Sequence, residues 1–219
     1  MLFAMLPGFK QFTRNAIVAI SLFALTLPVW ANDTDKPVSI MVLGDSISAA
    51  FGIAREDGWV HLLDQHFIND HPEADYEVIN ASISGETTGG GLSRLPKLLA
   101  NHQPNIVIIE LGGNDGLRGY PIKTLRGNLD QLVSLSKQAN AKVLVVGMQI
   151  PPNYGPRYTQ QFYDSFAKIA QKYDAELLPF LLEDIALIPA LMQKDGIHPT
   201  AVAQPLILRN VLPHLKELL

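Results

Sequence analysis

Five short apolar runs, rich in β-branched residues, constrain this chain more than any other feature: VSIMVLG (38–44), YEVIN (76–80), NIVIIELG (105–112), AKVLVVGM (141–148) and AELLPF (175–180). The third and fourth are apolar almost throughout instead of alternating, the pattern of strands buried on both faces in a parallel sheet covered by helices. Stretches of helical period separate the runs. Residues 58–70 follow the first strand and 91–102 the second. The segment 122–140 sets Leu125, Leu129, Leu132 and Leu135 on one face, and 157–174 does the same with Phe162, Phe166, Ile169 and Tyr173. The closing stretch, 201–219, reads as a helix with Pro205 in its first turns and Pro213 kinking or interrupting it. Strand and helix alternate, so the predicted fold is α/β: a three-layer α/β/α flavodoxin-like sandwich around a five-stranded parallel sheet of order 2-1-3-4-5. With no linker, repeat or low-complexity segment, one domain is expected.

The first 31 residues are expected to lie outside that domain. Lys10 and Arg14 precede the apolar stretch AIVAISLFALTLPVW, and no acidic residue occurs before Asp33. A positive start, a short apolar middle and a small-residue exit make a secretory signal peptide, cut between Ala31 and Asn32. Its apolar middle is shorter than the roughly 20 residues a spanning helix needs, which favours cleavage over a retained anchor. The remaining segment, 32–219, suits one domain with a substantial core, periplasmic or secreted. It carries 15 Lys and Arg against 21 Asp and Glu, with no basic patch, so nucleic acid is excluded as a partner. No second long apolar stretch appears, so no stable membrane insertion is expected after cleavage, and a monomer is expected. Cysteine is absent, which excludes a thiol nucleophile, disulfides and thiolate metal sites.

In an open parallel α/β sheet, ligands bind beyond the carboxyl ends of the strands. Gly44-Asp45-Ser46 follows the first strand, NASISGET with Gly85 the second, and LGGND with Asn114 the third. Near the end stands DGIHPT, with Asp195 and His198. Each has two readings. Ser46 is a nucleophile at a strand end or a loop serine that caps a helix. Asp195 and His198 form a carboxylate–imidazole pair fit for general base work, or a turn with an incidental histidine. Gly85 and Asn114 offer a backbone N–H and a side-chain amide to a developing oxyanion, or simply make turns. If the first strand lies between the second and third, the loops of Gly85 and Asn114 flank that of Ser46, and four weak signals converge on one spot. His61, His66, His71, His102 and His214 read as solvated; none shows metal-ligand spacing, and no metal is predicted.

At these residues the chain resembles the SGNH hydrolases, the GDS(L) esterase and lipase superfamily. The blocks GDSIS, SISGET, GGND and DGIHP stand in the family's order, and VINASISGETT, LGGNDGLRGYP and PPNYGPRY are similar to its periplasmic multifunctional thioesterase/lysophospholipase group. GDSI replaces the commoner GDSL, and the GxSxG elbow of α/β-hydrolases is absent. The resemblance implies Ser46 as nucleophile, His198 as general base, Asp195 as its orienting partner, and an oxyanion hole of Ser46, Gly85 and Asn114. It implies no cofactor, and a small-molecule acyl ester or thioester as substrate. Asp45 is assigned to holding the turn. Leu117, Tyr120, Ile150, Pro151 and Tyr154, in loops at the same sheet edge, are candidates for contact with the acyl chain. Two other readings stand beside this one: a carbohydrate (acetyl) esterase, and a non-catalytic periplasmic module binding a small anion.

Overall fold

A computed structural model of the chain describes residues 37–219, together with residues 2 and 4. Apart from those two positions, the expected signal segment lies outside the described residues. The strands are β1 (Val38–Gly44), β2 (Tyr76–Asn80), β3 (Ile106–Glu110), β4 (Lys142–Val146) and β5 (Glu176–Leu178). All pair in parallel, in the order β2-β1-β3-β4-β5 anticipated above. The helices are α1 (Trp59–Asp70), α2 (Thr88–His102), α3 (Gly113–Leu117), α4 (Ile122–Gln138), α5 (Pro156–Tyr173) and α6 (Gln204–Lys216).

Side chains alternate along each inner strand between two separate cores. Met41, Leu43, Val107, Ile109, Val143 and Val145 face α2, α4 and α5. Ile40, Val42, Ile106, Ile108, Leu144 and Val146 face α1 and α6. Double-sided burial explains why these strands are apolar without alternation. The helical stripes fill the first core as their spacing requires: Leu125, Leu129 and Leu132 from α4, and Phe162, Phe166 and Ile169 from α5, with Leu135 and Tyr173 at its edge.

Two helices depart from the sequence reading. α2 begins at Thr88, ahead of the periodic stretch, because Thr87 caps it and accepts the Gly90 N–H at 3.2 Å. α6 continues through Pro213. Pro213 and Arg209, one turn earlier, lie on the exposed face, where water can satisfy the carbonyl that proline leaves without a donor. At the sheet edge β5 stops after Leu178, since Pro179 has no N–H for a further rung.

The exit from β4 is fixed by a close backbone approach. Gly147 donates to the Leu178 carbonyl at 2.7 Å and accepts from the Leu181 N–H at 3.1 Å. A Cβ at this position would stand 2.0 Å from the Pro179 carbonyl oxygen, so backbone would have to move. Gly147→Ala is expected to destabilise the fold by about 3 kcal/mol in a urea titration, the upper end of ordinary overpacking costs. A loss below about 1 kcal/mol would mean the two segments can separate freely.

Candidate active site

β1 can turn sharply only because it ends in glycine. A Cβ on Gly44 would meet Glu110 Oε2 at 2.6 Å and the Ser48 side chain at 2.7 Å. Beyond it the chain makes one tight turn, with the Ala49 N–H on the Asp45 carbonyl and the Phe51 N–H on that of Ser46, both at 3.0 Å. Asp45 Oδ1 accepts the Ile47 N–H at 3.1 Å, closing an Asx-type turn. Ser46 emerges at the carboxyl edge of the sheet.

The segment before α6 folds back as a narrow hairpin. Met192 bridges Pro199, Gln193 N–H donates to the His198 carbonyl at 2.7 Å, and Thr200 N–H donates to that of Leu191 at 2.8 Å. At its tip Asp195 Oδ1 accepts the N–H groups of Ile197 and His198 at 2.9 and 3.0 Å. Asp195 Oδ2 lies 2.7 Å from His198 Nδ1, and His198 Nε2 lies 2.9 Å from Ser46 Oγ. The hydrogen bond from His198, reinforced by the two backbone amides, holds the Asp195 carboxyl down at about 2. Asp195 is therefore the ionised acceptor of this pair, which puts the ring proton on Nδ1 and leaves Nε2 to accept from Ser46.

Two contacts in this region have no counterpart in the sequence reading. The Phe51 ring packs against the imidazole, centroids 4.5 Å apart. Gln193 Nε2 donates to the Phe51 carbonyl at 2.8 Å and to the Pro199 carbonyl at 3.0 Å, strapping the serine turn to the histidine hairpin.

The loops of Gly85 and Asn114 flank the serine turn. Ala81 and Ile83 donate to the carbonyls of Val42 and Gly44, at 2.9 and 3.1 Å, so the loop after β2 runs along the end of β1. Gly85 adopts a left-handed φ of +78°, and its carbonyl accepts from the Arg118 guanidinium at 3.0 Å. Among the described residues, neither the Ser46 nor the Gly85 N–H has a protein acceptor. Asn114 Nδ2 donates to Asp45 Oδ2 at 3.2 Å, leaving its second N–H for another acceptor. The next residue, Asp115, is buried and accepts both the Thr88 N–H at 2.8 Å and the Thr88 hydroxyl at 2.5 Å. Asp115 thus joins the Asn114 turn to the start of α2, just beyond the Gly85 loop.

Beneath the serine turn lies a buried carboxyl that the sequence reading passed over within the third apolar run. Glu110 Oε2 accepts the Asp45 N–H at 3.1 Å and the Ser48 hydroxyl at 2.6 Å, and Trp59 Nε1 donates to Ser48 Oγ at 3.2 Å. Burial, followed by the nearby Asp45 charge, raises Glu110 well above the usual carboxylate range. Burial also raises Asp45, to about 6. An acid embedded in a strand otherwise made of Ile and Val was the available signal for this group.

A cavity of about 800 Å³ opens from Ser46, Asn114 and His198. Leu117, Met148, Ile150 and Pro151 line one side, and Leu181, Leu182, Ile185, Leu187 and Ile188 line the other. Of the proposed acyl contacts, Leu117, Ile150 and Pro151 thus lie in its walls, whereas Tyr120 and Tyr154 do not. The Tyr154 hydroxyl instead donates to the Leu117 carbonyl and the Tyr158 hydroxyl to that of Tyr120, each at 2.7 Å, bracing the loop from behind. The whole 180–188 wall was missed, although an apolar LPFLLEDIALIP after the short fifth strand was visible. Gly85 lies outside the cavity walls. Two histidines read as solvated have carboxylate partners: His66 with Asp70, at 2.6 Å, and His214 with Glu176, at 2.7 Å.

The model of the GDSL-like lipase/acylhydrolase family matches residues 42–204, spanning β1 to the start of α6. Esterase TesA of Pseudomonas aeruginosa is 49% identical over 181 residues, covering 83% of this chain and 89% of its own. The thioesterase 1/protease 1/lysophospholipase L1 of Escherichia coli K12 is 42% identical over 200 residues, 91% of each chain. The crystal structure of a psychrotrophic esterase, EstA from Pseudoalteromonas, inhibited by monoethylphosphonate, is 47% identical. It superposes with a TM-score of 0.78, covering 82% of this chain and 97% of that one. These similarities define an ester hydrolase built on a parallel α/β/α sheet. The chain belongs to the GDSL-like lipase/acylhydrolase family.

The Asp115 link generates a stability test. Asp115→Ala leaves the buried Thr88 N–H and hydroxyl without their acceptor, a deficit of about 2–3 kcal/mol. Its thermal midpoint should fall by roughly 5 °C or more, the shift such a loss produces in a domain of this size. An unchanged midpoint would mean that Thr88 finds another acceptor.

Proposed function

We propose that the chain is a secreted serine hydrolase that cleaves fatty-acyl esters and thioesters through an acyl-enzyme on Ser46. The observation that carries this reading is the Ser46–His198–Asp195 chain of contacts, at 2.9 and 2.7 Å, at the mouth of a deep apolar cavity. His198 Nε2 takes the Ser46 proton as Oγ attacks the acyl carbon, and Asp195 stabilises the imidazolium that results. The N–H groups of Ser46 and Gly85 and the free hydrogen of the Asn114 amide point to an oxyanion hole for the tetrahedral intermediate. His198 then returns the proton to the leaving alcohol or thiol. Water enters, gives its proton to the same nitrogen and releases the acid, restoring Ser46.

The cavity supports a substrate with a fatty chain. Its volume falls in the range of small-molecule sites that enclose most of their ligand. An acetyl group would leave most of it unfilled, which disfavours the carbohydrate esterase. A plain anion cradle would not call for a serine within reach of a carboxylate-paired imidazole. The names of the relatives favour esters and thioesters over either alternative. Export follows from the expected signal peptide, residues 1–31. Amino-terminal sequencing of the exported protein should begin at Asn32; intact residues 1–31 would contradict cleavage.

Ser46→Ala should leave a folded protein whose kcat on p-nitrophenyl esters falls by at least about 10³-fold, with no labelling by a phosphonate ester. Retained turnover would remove Ser46 as nucleophile. On the unaltered enzyme, kcat/KM should rise with acyl length from acetyl to about octanoyl, since each buried CH₂ contributes about 0.8 kcal/mol. Activity confined to acetyl esters would turn the assignment towards the carbohydrate esterase.

A further inference from the structure

Asp45 lies beneath the serine turn, 3% exposed, and no step of the proposed chemistry uses its charge. Its Oδ1 accepts from the Ile47 N–H, while Oδ2 accepts from the side chain of Asn114, at 3.1 and 3.2 Å. The second contact decides more than a turn geometry. A side-chain amide has a nitrogen at one corner and an oxygen at the other, nearly identical in shape. An ionised carboxylate can only accept, so it admits the nitrogen beside it and rejects the oxygen. With the nitrogen held there, its second hydrogen is free for an oxyanion. Rotated by half a turn, the amide would bring its own oxygen lone pairs to that place and repel the charge it should stabilise.

We infer that Asp45 is a positioning residue that fixes the Asn114 amide in its donor orientation, and that it does so only as a carboxylate. The inference rests on the reading of Asn114 as an oxyanion donor. A protonated Asp45 can donate to an amide oxygen as readily as it accepts from an amide nitrogen, so it no longer selects between the two. The groups around it are Glu110 from β3, Asp115 beside Asn114, and the His198 imidazole from the hairpin before α6. Burial raises Asp45 to about 6; the Ile47 N–H, His198 and Asn114 work against that rise, and Asp115 adds to it. Burial, and then the Asp45 charge, raise Glu110 well above the usual carboxylate range, so the pair resists carrying two adjacent negative charges. An acid raised on folding contributes stability below its unfolded value and loses it as pH rises through the folded one. The ionised Asp45 is thus held against the stability of the fold, as expected of a group kept for its charge.

The test compares the unaltered chain, Asp45→Asn, Asn114→Ala and the double variant on a p-nitrophenyl octanoate series. Asp45→Asn keeps the shape but offers one acceptor where two are needed. Its kcat should fall about 100-fold, the low end for loss of an oxyanion donor, with KM within about twofold and no drop in thermal midpoint. In the Asn114→Ala background the same change should cost less than about threefold, because the residue it acts through is gone. Losses that multiply in the double variant, or an Asp45→Asn enzyme within threefold of the parent, would overturn the inference while leaving the oxyanion role of Asn114 intact. Full activity in Asn114→Ala alone would overturn that role and the inference together. Should Asp45→Asn fail to fold, the pH dependence of the other two enzymes decides. As the pH is lowered through about 6, the ratio of parent to Asn114→Ala kcat should fall by about twofold or more, since every other titrating group is common to both enzymes. A ratio constant across that range would overturn the inference.

Discussion

The pairing of Gly44 with Glu110, the last rung between β1 and β3, is the contact on which the rest of this site depends. β1 is an interior strand, with β2 on one side and β3 on the other, and its register with both is parallel. Parallel strands deliver all their outgoing loops to one edge. Three loops from three consecutive strands therefore meet over the end of β1 without any of them having to be long. Because the last rung sets Glu110 beside Gly44, the carboxyl reaches the Asp45 N–H and the Ser48 hydroxyl, and the serine turn is seated on a buried acid. A slip of one residue would reverse which core every side chain faces and would also remove that seat.

Around this rung the fold concentrates polar groups that a core would otherwise avoid. Asp45, Glu110 and Asp115 are each at most 3% exposed. Asp115 has its lone pairs on Thr88, and Asp45 has one N–H and one amide donor. Glu110 is less well served, since its Oε1 has no partner among the described residues. Hydrogen bonds offset part of the desolvation of these groups, and the remaining deficit falls on the apolar cores above and below the sheet. Large aromatic anchors such as Trp59, Phe162 and Phe166, all fully buried, are where that surplus lies.

Much of this architecture was legible in the residues. Uninterrupted apolar runs of Val, Ile and Leu can satisfy only doubly covered strands, and the leucines of α4 and phenylalanines of α5 mark their own faces. Ser46, Asn114, Asp195 and His198 stood out because their local sequences combine small residues with groups that have little other use at a strand end. The limits of that reading have physical causes. Gly89 and Gly90 look like loop, and only the Thr87 cap with helical packing behind it makes them part of the first turn of α2. Pro213 looks like a stop, yet the face it occupies is wet. Tyr154 shares a sheet edge with Ser46, but the direction of a side chain in a loop is set by partners elsewhere, here the carbonyl of Leu117 and the ring of Tyr158, and Tyr120 at the same edge is exposed. The 180–188 wall was hidden because apolar residues after a strand read equally well as core or as pocket. Only its curvature around empty space separates the two.

The pair that completes the site joins residues 152 positions apart, from the end of the first strand to the hairpin before the last helix. A chain made from its amino terminus has its serine early and its histidine last. Strands β2 to β5 all lie between them in the chain, so an amino-terminal fragment that stops short of His198 cannot assemble the pair, however well its own helices form. Ordering so distant a contact is slow compared with closing local turns. The Ser46–His198 contact is therefore a late event in the making of each molecule, and its appearance during refolding marks the arrival of the carboxyl-terminal hairpin.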